Sequence, residues 1–128
     1  MWTGETVLVV DDEPSVRMFV TEALGSLGYR IIEAADGVAG LQILQSDTPV
    51  DLLVTDIGLP GAIDGRQMAQ AAREFRPDLP VLLMTGYTDP AVVGNPPLAP
   101  ATAVLTKPFA LDTLISSVSQ LSGKARRP

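Results

Sequence analysis

The 128-residue chain contains neither cysteine nor histidine. Without cysteine it forms no disulfide and does no thiol chemistry. Without histidine it has no Ser-His-Asp triad, no imidazole-held metal and no phosphohistidine of its own. No apolar run approaches the roughly 20 residues of a membrane-spanning helix, and the first residues lack the pattern of a secretory signal. A cytoplasmic location with no membrane partner is therefore expected. Basic residues are scarce, nine Lys and Arg against fifteen Asp and Glu, for a net charge of −6. That balance argues against direct nucleic-acid binding, which needs basic surface. The pair Arg126-Arg127 reads as part of a solubilising tail. A GxxxxGK[ST] phosphate loop is also missing, so a nucleoside triphosphate is not the expected ligand.

What is present suits one domain. At this length there is room for a single core, and 46% apolar with 19% charged residues is ordinary for a globular chain. Five short apolar segments recur, at residues 7–10, 31–34, 52–54, 81–84 and 103–105. Between them come helix signals. Pro14 suits a first helical turn, Val16, Val20, Leu24 and Leu27 share a face, and Gly28 ends that helix. Asp36-Gly37 turns into a helix over residues 38–45. A strand over 50–56 gives way at Gly58, Pro60 and Gly61 to a helix over 65–75, with Met68, Ala72 and Phe75 on one side. Pro77 and Pro80 bracket the next turn. Strand–helix–strand alternation with short right-handed crossovers implies a doubly wound α/β fold with a parallel sheet.

Four of the five apolar segments run into residues suited to phosphate chemistry. The first leads to Asp11-Asp12-Glu13, the third to Asp56, the fourth to Thr85, the fifth to Lys107-Pro108. In a doubly wound sheet these positions share the carboxyl edge, where ligands bind. Each residue alone has an ordinary reading: Asp11-Asp12 as a helix cap, Asp56 and Thr85 as turn starts, Lys107 as a surface lysine. Those readings do not explain their common position. Carboxylates about 4 Å apart repel by about 4 kcal/mol at an effective dielectric of 20, so clustering Asp11, Asp12 and Asp56 is costly unless a metal cation or Lys107 offsets it. Magnesium fits, taking carboxylates, waters and a phosphate oxygen, and an Asp carboxylate is an established nucleophile for phosphoryl groups.

The strings "VLVVDDEP", "DLLVTDIGLPG", "MTGY" and "LTKPF" resemble the receiver domain of two-component response regulators. The resemblance covers about residues 5–121. It implies a flavodoxin-like, five-stranded parallel sheet of order 2-1-3-4-5, with residues 1–122 as the receiver and 123–128 as a short basic tail. By the same resemblance Asp56 is the phosphoacceptor, charged by a phosphohistidine of a sensor kinase or phosphotransfer protein. Asp12 is implied as the direct magnesium ligand, Asp11 as the acid acting through water on the metal, and the Gly58 backbone carbonyl as a further ligand. Thr85 and Lys107 would contact the phosphoryl group, and the Lys107-Pro108 bond would be cis. Such a domain promotes only its own phosphorylation and dephosphorylation; it is a switch and not an enzyme.

Three features depart from the commonest receiver pattern. The loop "IGLPGAIDG" is one residue longer than usual before Asp64-Gly65, as in receivers of hybrid kinases. Val104 stands where an aromatic switch residue is common, with Tyr87 as its candidate replacement. Pro90, Pro96, Pro97 and Pro100 limit the fourth helix to a turn or two near residues 90–93, in a Pro-rich loop expected to take part in signalling. This combination with "MTGY" resembles an atypical alphaproteobacterial group. No output domain is expected after Leu121, so the chain would be a stand-alone receiver or one cut from a hybrid kinase. Two other readings are a small magnesium-dependent phosphatase and a phosphorylation-independent binding module. The first lacks the Asp-x-Asp spacing, and the second is at odds with the intact acidic set.

Overall fold

A computed structural model describes residues 4–86 and 101–126, the last five as backbone. Five strands, β1 (Thr6–Val10), β2 (Arg30–Ala34), β3 (Leu52–Asp56), β4 (Val81–Gly86) and β5 (Thr102–Lys107), form one sheet. The order is β2-β1-β3-β4-β5 and every pairing is parallel. Four helices cover it among the described residues: α1 (Pro14–Gly25), α2 (Gly37–Leu44), α3 (Gly65–Arg73) and α4 (Leu111–Arg126). The expected doubly wound, flavodoxin-like arrangement is what forms. Tyr87, the proposed short helix at residues 90–93 and the Pro-rich loop lie outside the described residues.

The near-continuous apolar character of the strands has a direct cause. Side chains alternate between faces, and both faces here are covered. Leu8 and Val10 join Leu44, Leu53, Met68 and Ala72 under α2 and α3. Val7 and Val9 join Val20, Leu24, Val54, Leu114 and Val118 under α1 and α4. Val104 packs partly buried against the first of these clusters. Each fully buried Leu or Val contributes about 1.5–3 kcal/mol of transfer free energy.

Two helices start on Asp side chains. Asp36 accepts from Ala39 N at 2.8 Å. Asp64 and Gln67 form a reciprocal capping box. Helix α1 differs, since its N-cap is Glu13 and lacks a side-chain cap bond. It ends at Gly25, and Gly28, at φ +96°, completes the turn out of it. Phe75 departs from its expected place beside Met68 and Ala72. Helix α3 stops at Arg73, because Pro77 forces the chain to leave it, and Phe75 is 58% exposed. Helix α4 continues to Arg126, into the stretch read as a tail.

At the amino ends of the strands, arginines bind backbone carbonyls. Arg76 donates to the carbonyls of Leu44 (2.8 Å), Ser46 (2.9 Å) and Thr48 (2.6 Å). Arg73 donates to those of Leu79 (2.8 Å) and Ala101 (3.1 Å).

Candidate functional site

The strand order reverses between β1 and β3, so the crevice of the sheet opens at their carboxyl ends. Asp11 and Asp12 leave β1 there, and Asp56 is the last residue of β3. In register, Asp56 pairs with Met84 and Gly86 with Lys107, which sets Thr85 one residue past the Asp56 level. One carboxylate oxygen each from Asp11, Asp12 and Asp56 lie within 4.8 Å of one another. The sequence-predicted acids therefore converge.

Lys107 lies among them. Its Nζ is 3.1 Å from Asp56 Oδ2, 3.4 Å from Asp11 Oδ2 and 3.9 Å from Glu13 Oε1. Asp56 Oδ1 accepts from Gly58 N at 3.2 Å, which seats the start of the following loop on the carboxylate. Thr85 is buried and its hydroxyl donates to the Gly86 carbonyl at 3.1 Å. The Lys107–Pro108 peptide bond is cis.

The electrostatics follow from burial. Asp11 is 0% exposed, and loss of solvent raises its carboxyl above the usual value. The Glu13 amide at 2.9 Å and the Lys107 charge pull the other way without cancelling it. Burial alone would lower the Lys107 ammonium, but its hydrogen bond and charge contact with Asp56, and then those with Asp11, raise it overall. Lysine thus stays protonated between two carboxylates.

Asp11, Asp12 and Asp56 cluster, Asp11 fully buried, and the Lys107 ammonium contacts Asp11 and Asp56. All the donors are hard oxygens, the set that suits magnesium or calcium and not a soft metal. The residues fit a divalent cation, whose charge would offset the repulsion and the burial of Asp11. Beside Lys107, an apolar groove of about 570 Å³ is lined by Ser15, Val16, Phe19, Pro108 and Phe109. The Phe19 and Phe109 rings lie 5.9 Å apart.

Two contributors were not singled out from sequence. Arg17 reaches from α1 to the Asp11 carbonyl at 2.7 Å. Gly65 lets the start of α3 lie directly on the Asp56 backbone, leaving no room for a Cβ. A conformation-free close approach of this kind carries no motif beyond Asp-Gly, and Arg17 shows only as a basic residue one turn into a helix.

Comparison with known proteins agrees with this geometry. Residues 7–119 match the family model of the response regulator receiver domain. The chain is 37% identical over 120 residues to sensor kinase CckA of Brucella abortus, covering 93% of this chain but only 13% of that kinase. It is 36% identical over 117 residues to the response regulator receiver protein CpdR of the same organism, covering 90% of this chain and 94% of CpdR. The crystal structure of a response regulator receiver protein from Sinorhizobium medicae superposes with a TM-score of 0.85 at 30% identity, over 94% of this chain and 96% of that one. The family model spans both walls of the crevice, and the chain belongs to the response regulator receiver domains of two-component systems.

Proposed function

We propose that the domain is a phosphorylation-dependent switch in which Asp56 accepts a phosphoryl group from a phosphohistidine of a sensor kinase or phosphotransfer protein. The observation that carries this reading is the contact of Lys107 Nζ with both Asp56 and Asp11 at the crevice of the sheet. Receiver domains as a class are signalling modules that turn over no free substrate, and the phosphohistidine lies outside these 128 residues, which contain no histidine.

In the transfer, a carboxylate oxygen of Asp56 forms a bond to phosphorus as the phosphorus–nitrogen bond to the donor imidazole breaks. The imidazole keeps the electron pair of that bond, and Asp56 becomes an acyl phosphate. Positioning and charge stabilisation dominate such reactions. Lys107, already protonated beside Asp56, meets the negative charge of the transferred oxygens. Thr85 offers its hydroxyl to the same group. Asp12, Asp56 and the Gly58 carbonyl would hold magnesium, with Asp11 as the neighbouring acid. Bound there, the metal would supply positive charge to the phosphoryl oxygens. Phe19 and Phe109 give a protein donor an apolar surface next to Lys107.

We place the receiver unit at residues 1–122 and the domain in the cytoplasm, with a protein as its downstream partner. Among the described residues no helix is long and apolar enough to cross a membrane. Intact mass after incubation with magnesium and acetyl phosphate tests the switch. The parent is expected to gain one phosphoryl group and Asp56→Asn none. Absence of a gain with acetyl phosphate and with a phosphohistidine protein donor alike would overturn the assignment.

A further inference from the structure

Asp11 is tied down at every polar group. Its N–H donates to the Ala34 carbonyl at 3.2 Å, its carboxylate accepts from Glu13 N and from Lys107, and its carbonyl accepts from Arg17 Nη1 at 2.7 Å. That carbonyl lies past the last registered pair of β1, Val10 with Ala34, where the sheet no longer fixes it. The same guanidinium donates from Nε to Glu33 Oε1 at 3.1 Å. Arg17 N in turn donates to the Glu13 carbonyl at 3.0 Å. One side chain therefore joins the first turn of α1, the end of β2 and the peptide between Asp11 and Asp12.

We infer that Arg17 is a positioning residue for the divalent cation, fixing the Asp11–Asp12 peptide plane so that both carboxylates face the crevice. The inference rests on the proposed magnesium role of those acids. It follows from the fork of the guanidinium, which reaches two acceptors in fixed relative orientation, as a lysine ammonium does not. Residues that orient ligating groups typically change metal affinity by about 10–100-fold when removed. A purely electrostatic role has the opposite sign. Arg17 is a cation beside an acidic cluster, so removing its charge alone would tighten binding of another cation.

Calorimetric titration of magnesium chloride into metal-stripped, folded protein separates these cases. Arg17→Ala is expected to weaken magnesium binding by about tenfold or more. Arg17→Lys, which keeps charge and helix, is expected to weaken it by a smaller factor and carries the test should the alanine variant not fold. Arg76→Ala loses three carbonyl contacts at the opposite end of the sheet and is expected to leave magnesium affinity unchanged. Unchanged or tighter binding in both Arg17 variants would overturn the inference, as would an equal loss in Arg76→Ala. No magnesium binding by the parent would overturn the metal reading itself.

Discussion

Alanine at Gly65 tests whether the start of α3 holds the Asp56 backbone in place. A Cβ there would overlap the Asp56 carbonyl oxygen and lie 2.9 Å from its carbonyl carbon and 3.0 Å from Ile57 Cα. Ordinary contact begins at 3.4 Å, so even the carbon must retreat by the difference of 0.5 Å, and the oxygen by more. Every obstructing atom is backbone, with no flexible side chain to swing aside. Either α3 withdraws and stretches the 3.0 Å bond from Gly65 N to the Ile57 carbonyl, or the Asp56 peptide rotates and carries the carboxylate with it. Overpacking of this kind costs about 1–3 kcal/mol, and loss of the hydrogen bond about 1 kcal/mol. Alanine returns up to about 1 kcal/mol of helix propensity. The net is about 1–3 kcal/mol, a melting temperature lower by roughly 3–15 °C for a chain of this size. Thermal unfolding by circular dichroism in EDTA measures it. Gly58→Ala is the control: nothing lies within 4 Å of its Cβ position, so its stability should change by less than about 0.5 kcal/mol. A Gly65→Ala protein melting within about 2 °C of the parent would refute the reasoning.

Three further outcomes are expected. Asp11 has a raised carboxyl value through burial, so its ionised form destabilises the metal-free fold. The stability its protonation contributes is full below 3.8, the unfolded value, and is lost as pH rises through the folded value. Asp11→Asn should therefore melt higher than the parent at pH 7 in EDTA, with the gap closing as acid protonates the parent; a lower melting point at pH 7 would contradict this. Magnesium at 100 times its dissociation constant should stabilise the parent by about 2.7 kcal/mol, an effect absent in Asp12→Ala and readable as a thermal shift. Lys107→Met leaves Asp11 and Asp56 without their ammonium, and removing one partner of a buried pair costs about 3–5 kcal/mol. The Lys107 and Asp56 side chains keep 20% and 13% of their surface exposed, and solvent screening reduces this to about 1–2 kcal/mol, checked by urea unfolding without metal.

The strands were legible because both faces of the sheet are buried. Continuous apolar runs left little alternative, and the polar residues that follow four of the five runs marked the carboxyl edge. Leu8 and Val9 face opposite cores, so neither period-two alternation nor a helical stripe competed with the strand reading. Asp11, Asp56 and Lys107 could be grouped for the same reason, as parallel register carries all three to the carboxyl edge, Lys107 two residues past the Asp56 level. Helix ends were harder. The spacing of Met68, Ala72 and Phe75 extends a helical stripe that Pro77 cuts short, and Phe75 turns to solvent. Arg17, Arg73 and Arg76 escaped notice because, Glu33 beside Arg17 apart, the acceptors described for them are backbone carbonyls. A carbonyl is present at every residue, so no spacing of side chains announces which one an arginine will reach.

The Arg76 fork has a practical consequence for where this domain tolerates added sequence. Surface loops are the usual places to graft a tag or a second domain, since their backbone is free to spread. The loop after α2 is not of that sort. Its carbonyls at Ser46 and Thr48, with Leu44 just before them, are gathered onto one guanidinium from the far side of β3. An insertion at residues 46–48 would pull those acceptors apart and unfasten the turn into β4 as well. What resembles a permissive surface loop is thus a non-covalent crosslink, closing the end of the sheet opposite the acidic crevice.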